Sequence, residues 1–368
     1  MRIELPISKS IANRLLILQA IHGDGLMTVS ADLPDDVRIM SEAIRLLGER
    51  RKARIDLGNC GTAMRFLTAY AAQLENRVTI LDGVERMHHR PIGQLVEALR
   101  EIGAQIEYLG EEGFPPLRIN GCVLDKHSIV RIDNPLSTQF VSALMLIGAN
   151  VQTNSTSPYI SITREIIDQY SHYFKIHNSK FIIEKDWSSA AFWYEHVALH
   201  GGEIHLPGLI RDSLQGDKVV ADIFTHLGVQ THYTTEGVTI ISTGVADLQR
   251  SDLQGIVARS TAQRSAEETI LNSKFLIQNF SACPDLYPAV SLTCERLGIE
   301  LHATGVESLP LKESDRLRAV REHRTDADHR MAMALLIAGY EVNDTACINK
   351  SYPQFLEQFH RINTLKLQ

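Results

Sequence analysis

The sequence predicts an α/β protein assembled from duplicated helix–strand units, and three observations lead there. An apolar helical stretch that ends in glycine and runs into a short strand recurs, as in "LVEALREIGAQIEYL", "VVADIFTHLGVQTHY", "AVSLTCERLGIELHA" and "WYEHVALHGGEIHL". Several units begin at a small polar or glycine-rich turn: "SKSIANR", "GNCGTAMR", "PLSTQF", "DWSSAAF" and "SLQGD". The chain, at 368 residues with 44% hydrophobic and 22% charged side chains, is long for one core, so two soluble domains are expected.

Each element follows from local chemistry. In "LVEALREIGAQI", Leu95, Leu99 and Ile102 recur at helical spacing, Gly103 suits the left-handed position after a helix, and "AQIEY" alternates like a strand. The intervals between units are uneven, which excludes a solenoid of strict period. Ser, Thr, Asn and Asp cap helix starts, where free N–H groups favour anions. One such turn only caps a helix; five imply helix N-termini that converge on a common cleft. No Pro/Gly/Ser linker separates domains, and the best crossing points are near Ser8 and Glu184–Phe192.

Charge narrows the function. The 37 basic and 44 acidic side chains give a net charge of -7, against general nucleic-acid affinity. A basic cluster such as "LKESDRLRAVREHRTDADHR" inside an acidic protein suits a local pocket for small anions, or else a solvated helix face. The scattered cysteines Cys60, Cys122, Cys283, Cys294 and Cys347 form no CxxC pair, which fits a reducing compartment. "MRIELPISKS" has no apolar leader, and no window approaches the roughly 20 apolar residues of a bilayer span. A cytoplasmic location without membrane contact is expected.

Around the first turn, Lys9, Ser10 and Arg14 flank a helix start, either as an anion site or as a capped helix with solvated cations. Gly58 and Gly61 permit close approach to the backbone and Asn59 and Thr62 add polar groups, as they would in any tight strand-to-helix turn. In "DGVERMHHRPIG", Arg86 and Arg90 precede Pro91, which suits a first helical turn; the adjacent His88 and His89 point apart. His196 and His200 have the spacing of a metal pair but lack a third ligand. Lys312, Glu313, Asp315 and Arg316 crowd one segment, Asp328, His329 and Arg330 another, and "INKSYPQF" adds Lys350. There is no Walker A or GxGxxG sequence for a nucleotide cofactor.

In this order, "SKS…NR", "GNCGTAMR", "RMHHRPIG", "STQF", "SPYISIT", "SLQGD", "PD", "KESDR", "DHRMAMA" and "NKSYPQF" resemble the 5-enolpyruvylshikimate-3-phosphate synthase family over Ser8–Phe355. The resemblance implies two similar domains, each of three βαβαββ units in an inside-out α/β barrel, with the active site in the interdomain cleft. One domain would be 9–185, the other 1–8 with 186–368. It implies enolpyruvyl transfer from phosphoenolpyruvate to the 5-hydroxyl of shikimate 3-phosphate through a tetrahedral ketal phosphate, in the shikimate pathway to chorismate and aromatic amino acids. It further implies no metal or organic cofactor, a monomer, domain closure, and glyphosate as inhibitor, with which the Gly61 turn is compatible.

Carried over by position, Lys9, Asn59, Gly61, Arg90, Gln139, Arg316, Arg330 and Lys350 would hold phosphoenolpyruvate. Ser10, Arg14, Ser137, Thr138, Gln139, Ser157, Tyr159, Asp285 and Lys312 would hold shikimate 3-phosphate. Asp285 is the candidate base for the 5-hydroxyl, and Glu313, with Lys9, for proton transfer at the methylene. A carboxylate among so many cations is expected to have a depressed pKa. This chain departs from the family at Cys60, where Ala is usual, and at Ser308 and Pro310, where Asn and Arg are usual. It is also short near 50–54, 148–156, 172–180 and 322–326. If loops were omitted there, consecutive Cα atoms would lie beyond the usual ~3.8 Å; an unbroken chain would mean shortened units. The sister UDP-N-acetylglucosamine enolpyruvyl transferase, with "SKN" for "SKS", and a non-catalytic binding protein on the same fold are the alternatives.

Overall fold

The computed structural model describes residues 1–27, 30, 32–171, 183–243 and 275–365. In the first half, helices α1 (Lys9–His22) and α2 (Asp35–Glu49) precede a complete βαβαββ set. That set comprises β1 (Lys52–Asp56), α3 (Gly61–Ala72), β2 (Val78–Asp82), α4 (Gly93–Glu101), β3 (Gln105–Tyr108) and β4 (Leu117–Asn120). Its sheet runs β1-β2-β4-β3, with β1 and β2 parallel across the α3 crossover and β4 antiparallel to both β2 and β3. Along β1, Ala53 and Ile55 point inward and their neighbours outward, as the period of two requires. A shorter set comes next: β5 (Ile129–Arg131), α5 (Thr138–Leu146), β6 (Asn150–Gln152) and α6 (Pro158–Gln169), with β5 and β6 parallel.

The second half repeats the plan. Helix α7 (Trp187–His200) leads to β7 (Glu203–Pro207), α8 (Val220–Thr225), β8 (Val229–Tyr233) and β9 (Gly237–Ser242), in a β7-β9-β8 sheet. The missing first strand comes from the chain start, where Arg2 bridges His205 in parallel and Ile3 N donates to His205 O at 3.0 Å. A second short set comprises the parallel strands β10 (Phe275–Asn279) and β11 (Glu300–Thr304), with α9 (Tyr287–Leu297) between them and α10 (Arg316–Glu322) after. Helices α11 (His329–Ile337) and α12 (Phe355–Leu365) close the chain.

Two sets per half stand among the described residues, where three full βαβαββ units were expected. The reason is visible at the short places. Arg50 N bonds Leu46 O at 3.0 Å, Ala149 N bonds Leu144 O at 3.0 Å and Arg324 N bonds Ala319 O at 2.9 Å, so these helix ends turn directly into the adjoining segment. The fourth short place, 172–180, lies outside the described residues. Left-handed Gly148 and His323 make two of these reversals.

Helices α1, α3, α7 and α11 are buried along most of their length and on all faces, the mark of a central helix. Accordingly α3 packs on α5, α5 on α6 and α1 on α3 and α6, while α7, α9 and α11 pack on one another. Apolar side chains divide into two clusters, one from Ile11 to Tyr170, the other from Ile3, Leu5 and Trp187 to Ile362. Between them the chain passes twice, side by side: Ser8 N donates to Glu184 O at 2.8 Å and Asp186 N to Pro6 O at 3.0 Å. Among the described residues no helix is long and apolar enough to cross a membrane.

Candidate active site

A cleft of about 780 Å³ separates the two cores, and helix starts line it. From the first half, α1 brings Lys9, Ser10 and Arg14; α3 brings Thr62 and Arg65; α5 brings Ser137, Thr138 and Gln139; α6 brings Ser157 and Tyr159. Two of these hydroxyls, on Ser137 and Ser157, occupy N-cap positions. Ser137 Oγ accepts from Gln139 N at 3.4 Å and Ser157 Oγ from Tyr159 N at 3.3 Å. From the second half come Asp285, Lys312, Glu313, Arg316 and Arg330, the last opening α11 behind the Asp328 cap. The turns "DWSSAAF" and "SLQGD" reach a small side pocket through Ser188, Gln215, Gly216 and Asp217, beside Ser10 and Tyr159. The expected convergence of helix starts is present.

Three expected residues stand behind the wall. Lys350 Nζ donates to Asn59 O at 2.8 Å and Arg90 Nη1 to Asn59 O at 3.2 Å and Oδ1 at 3.3 Å, so Asn59 anchors two cations. Gly61 lies under Arg65 and Arg90, and a Cβ there would collide with both guanidinium groups. Gln139 Nε2 donates to Thr62 Oγ1 at 2.9 Å.

The second-half wall is an ion lattice. Arg316, almost wholly buried, donates to Asp285 at 2.7 Å, to Glu313 at 3.1 Å and to Asp328 at 2.8 Å. Arg330 takes the other oxygen of Asp285 at 2.9 Å, Lys350 meets Glu313 at 2.9 Å, and Lys312 stands 3.6 Å from Asp285. Burial pushes the Asp285 carboxyl up, but Arg330, Lys312 and Arg316 outweigh it and hold it well below the usual range. Glu313 behaves alike, with Lys350 and Arg90 overcoming burial. The depression expected for these carboxylates is therefore present. Lys9 meets Asp36 at 2.8 Å.

Sequence reasoning passed over several contributors. Arg65, pushed down to about 9 by burial and by Arg90, lies one helical turn after Gly61 and was legible from "GTAMR". Asp217, pushed up to about 7 by burial and by Asp285, was within a quoted turn. Asp36 carried no signal beyond its place in a helix's first turn. His329 is buried with neither ring nitrogen hydrogen-bonded, and burial with Lys9 and Arg330 beside it keeps the ring neutral. The other histidines stay structural: His88 bonds Asp82 at 2.9 Å and His89 bonds Glu85 at 3.2 Å. His200 bonds Ile337 O at 2.8 Å, and no metal cluster occurs among the described residues.

The family model for EPSP synthase (3-phosphoshikimate 1-carboxyvinyltransferase) matches residues 1–323 and 321–359. The chain belongs to the EPSP synthase family. It is 33% identical to a 3-phosphoshikimate 1-carboxyvinyltransferase of Bacteroides fragilis, the alignment covering 98% of this chain and 94% of the relative. Against the enzyme of that name from Colwellia psychrerythraea it is 28% identical over 98% and 96% of the two chains. The fold resembles EPSP synthase from Acinetobacter baumannii, with a TM-score of 0.63 at 19% identity over 98% and 95% of the chains. Family membership favours this reading over the sister transferase.

Proposed function

We propose that the chain transfers the enolpyruvyl group of phosphoenolpyruvate to the 5-hydroxyl of shikimate 3-phosphate and releases phosphate, as a 3-phosphoshikimate 1-carboxyvinyltransferase. The observation that carries it is the match to the family along the whole chain, together with a cleft whose cations outnumber its carboxylates. Two phosphate- and carboxylate-bearing substrates suit that excess. The chain divides into 9–185 and 1–8 with 186–368, a reading supported by the two cores and the paired crossings at Ser8 and Asp186.

Lys9, Arg90, Arg316, Arg330 and Lys350 hold phosphoenolpyruvate, with Asn59 and Gly61 shaping the floor that carries Arg90. The capped starts of α5 and α6, through Ser137, Thr138, Gln139 and Ser157, take the 3-phosphate with Lys312, and Tyr159 closes over the ring. Ser10 and Arg14 face the shikimate ring. Arg14 spends its guanidinium on Thr163, Ser10 O, Ser142 and Tyr159 O, so it shapes the ring subsite as well as adding charge.

Asp285 removes the 5-hydroxyl proton as that oxygen bonds C2 of phosphoenolpyruvate, while the Lys9 ammonium delivers a proton to C3 with the ionised Glu313 beside it to accept one back. Loss of a proton from the new methyl group then expels phosphate. A carboxylate held by Arg316 and Arg330 is a poor base. Substrate anions that take up those guanidinium groups restore its basicity, which ties base strength to correct loading. Phosphate release from phosphoenolpyruvate, assayed with shikimate 3-phosphate and separately with UDP-N-acetylglucosamine, tests the assignment. Release with shikimate 3-phosphate alone is expected; release with neither would leave a binding role on this fold.

A further inference from the structure

We propose that Arg86 is a positioning residue whose guanidinium clasps the 310–313 backbone of the opposite half and so sets the closed geometry of the cleft. Arg86 lies in the 3-10 turn Glu85–His89, four residues before Arg90. Its Nη2 donates to Pro310 O at 2.8 Å and to Lys312 O at 3.0 Å, and its Nε to Glu313 O at 3.2 Å. Arg86 does not line the cleft, whereas Lys312 and Glu313 do. One fork from the first half therefore holds the strip of backbone from which Lys312 reaches Asp285 and Glu313 reaches Arg316 and Lys350.

The chemistry suits a clasp. Three convergent carbonyls match the planar, multi-donor guanidinium and cannot all be met in the same geometry by a lysine point charge. The acceptors are backbone atoms, so the contact reads the position of the strip whatever its side chains are. Away from the chain crossing at Lys185, the other side-chain hydrogen bonds between the halves among the described residues are single bonds, Lys350 Nζ to Asn59 O at 2.8 Å and Gln354 Nε2 to Asp32 O at 2.9 Å. Lys350 also serves the substrate site proposed above, on which this inference rests; Arg86 has no other acceptor among the described hydrogen bonds.

A clasp of this kind biases closure and leaves the chemistry alone. If the competent closed state becomes rarer, apparent affinity falls by that fraction, and saturating substrate restores it. Arg86→Ala should raise the KM of both substrates roughly tenfold while kcat stays within about threefold. Arg86→Lys should resemble Arg86→Ala. Without substrate, small-angle scattering should show a larger radius of gyration for Arg86→Ala than for the wild type. A fall in kcat at unchanged KM in protein whose folded fraction matches the wild type would overturn the clasp, as would full rescue by Arg86→Lys or identical scattering curves. Wild-type protein that turns over neither substrate pair would sink the assigned reaction, and scattering would still decide the clasp.

Discussion

The two walls of the cleft hold their cations in opposite ways. On the first-half wall, Arg14 and Arg65 donate to hydroxyls and carbonyls, Arg14 to Thr163 Oγ1 at 2.7 Å and Arg65 to Gly61 O at 3.0 Å. With no carboxylate partner, burial pushes Arg14 down to about 10 and Arg65 down to about 9. On the second-half wall, Arg316 and Arg330 are as deeply buried but share Asp285, Glu313 and Asp328, and both are shifted upward. Buried charge costs free energy unless it is paired. Among the described residues, these first-wall arginines have no carboxylate of the chain to pair with, whereas the second wall carries its own counterions. Lys9 is the exception on the first wall, since Asp36 pairs with it.

The largest effect that would sharpen this contrast is expected at the shared carboxylate. Asp285→Ala should lower kcat by about 10²- to 10⁴-fold in the phosphate-release assay, while Asp285→Asn, which preserves shape, should lose as much activity and less stability. Next, thermal or urea unfolding should separate the two arginines. Arg316→Ala removes the cation shared by three carboxylates and leaves the buried Asp328 without one among the described residues, which should cost about 3–5 kcal/mol; Arg14→Ala strands neutral acceptors and should cost about 1–3 kcal/mol. Equal losses would erase the distinction between the walls. Gly61→Ala comes third: the methyl displaces Arg65 and Arg90, and the KM for phosphoenolpyruvate should rise roughly tenfold, by about 1–3 kcal/mol of overpacking, with little change for shikimate 3-phosphate.

The smallest effect is a pH signature of opposite sign on neighbouring acids. Asp285 and Glu313 have depressed pKa values, so their contribution to stability is complete above the unfolded values of about 4 and is lost as pH falls further. Asp217, at about 7, stays protonated in the folded state while the unfolded chain ionises near 4. Its stabilising share therefore declines as pH rises from about 4 to 7. Asp217→Asn should raise the melting temperature at pH 8 relative to pH 5 by roughly 2–4 °C against the wild type. A shift in the opposite direction would show that Asp217 is ionised and paired.

Much of the site was legible because its residues sit where local rules place them. Ser137, Ser157 and Asp328 cap helices, and Lys9, Thr138 and Arg330 fall in the first turns behind such caps. Caps and glycine turns act within three or four residues, so a sequence displays them openly. Arg65 was equally exposed to that logic and was simply passed over.

By itself the sequence determined the α/β plan, the helix starts and the excess of cations around a cleft. Tertiary structure alone decided which carboxylate each cation meets, that Lys9 pairs with Asp36, that Lys350 stands on Asn59 and that Arg86 grips the backbone at 310–313. It also decided that the second set in each half stops short of a hairpin among the described residues. Those pairings join atoms up to 291 positions apart. Nothing in a local window encodes them, since the partner is chosen by where the two cores come to rest against each other.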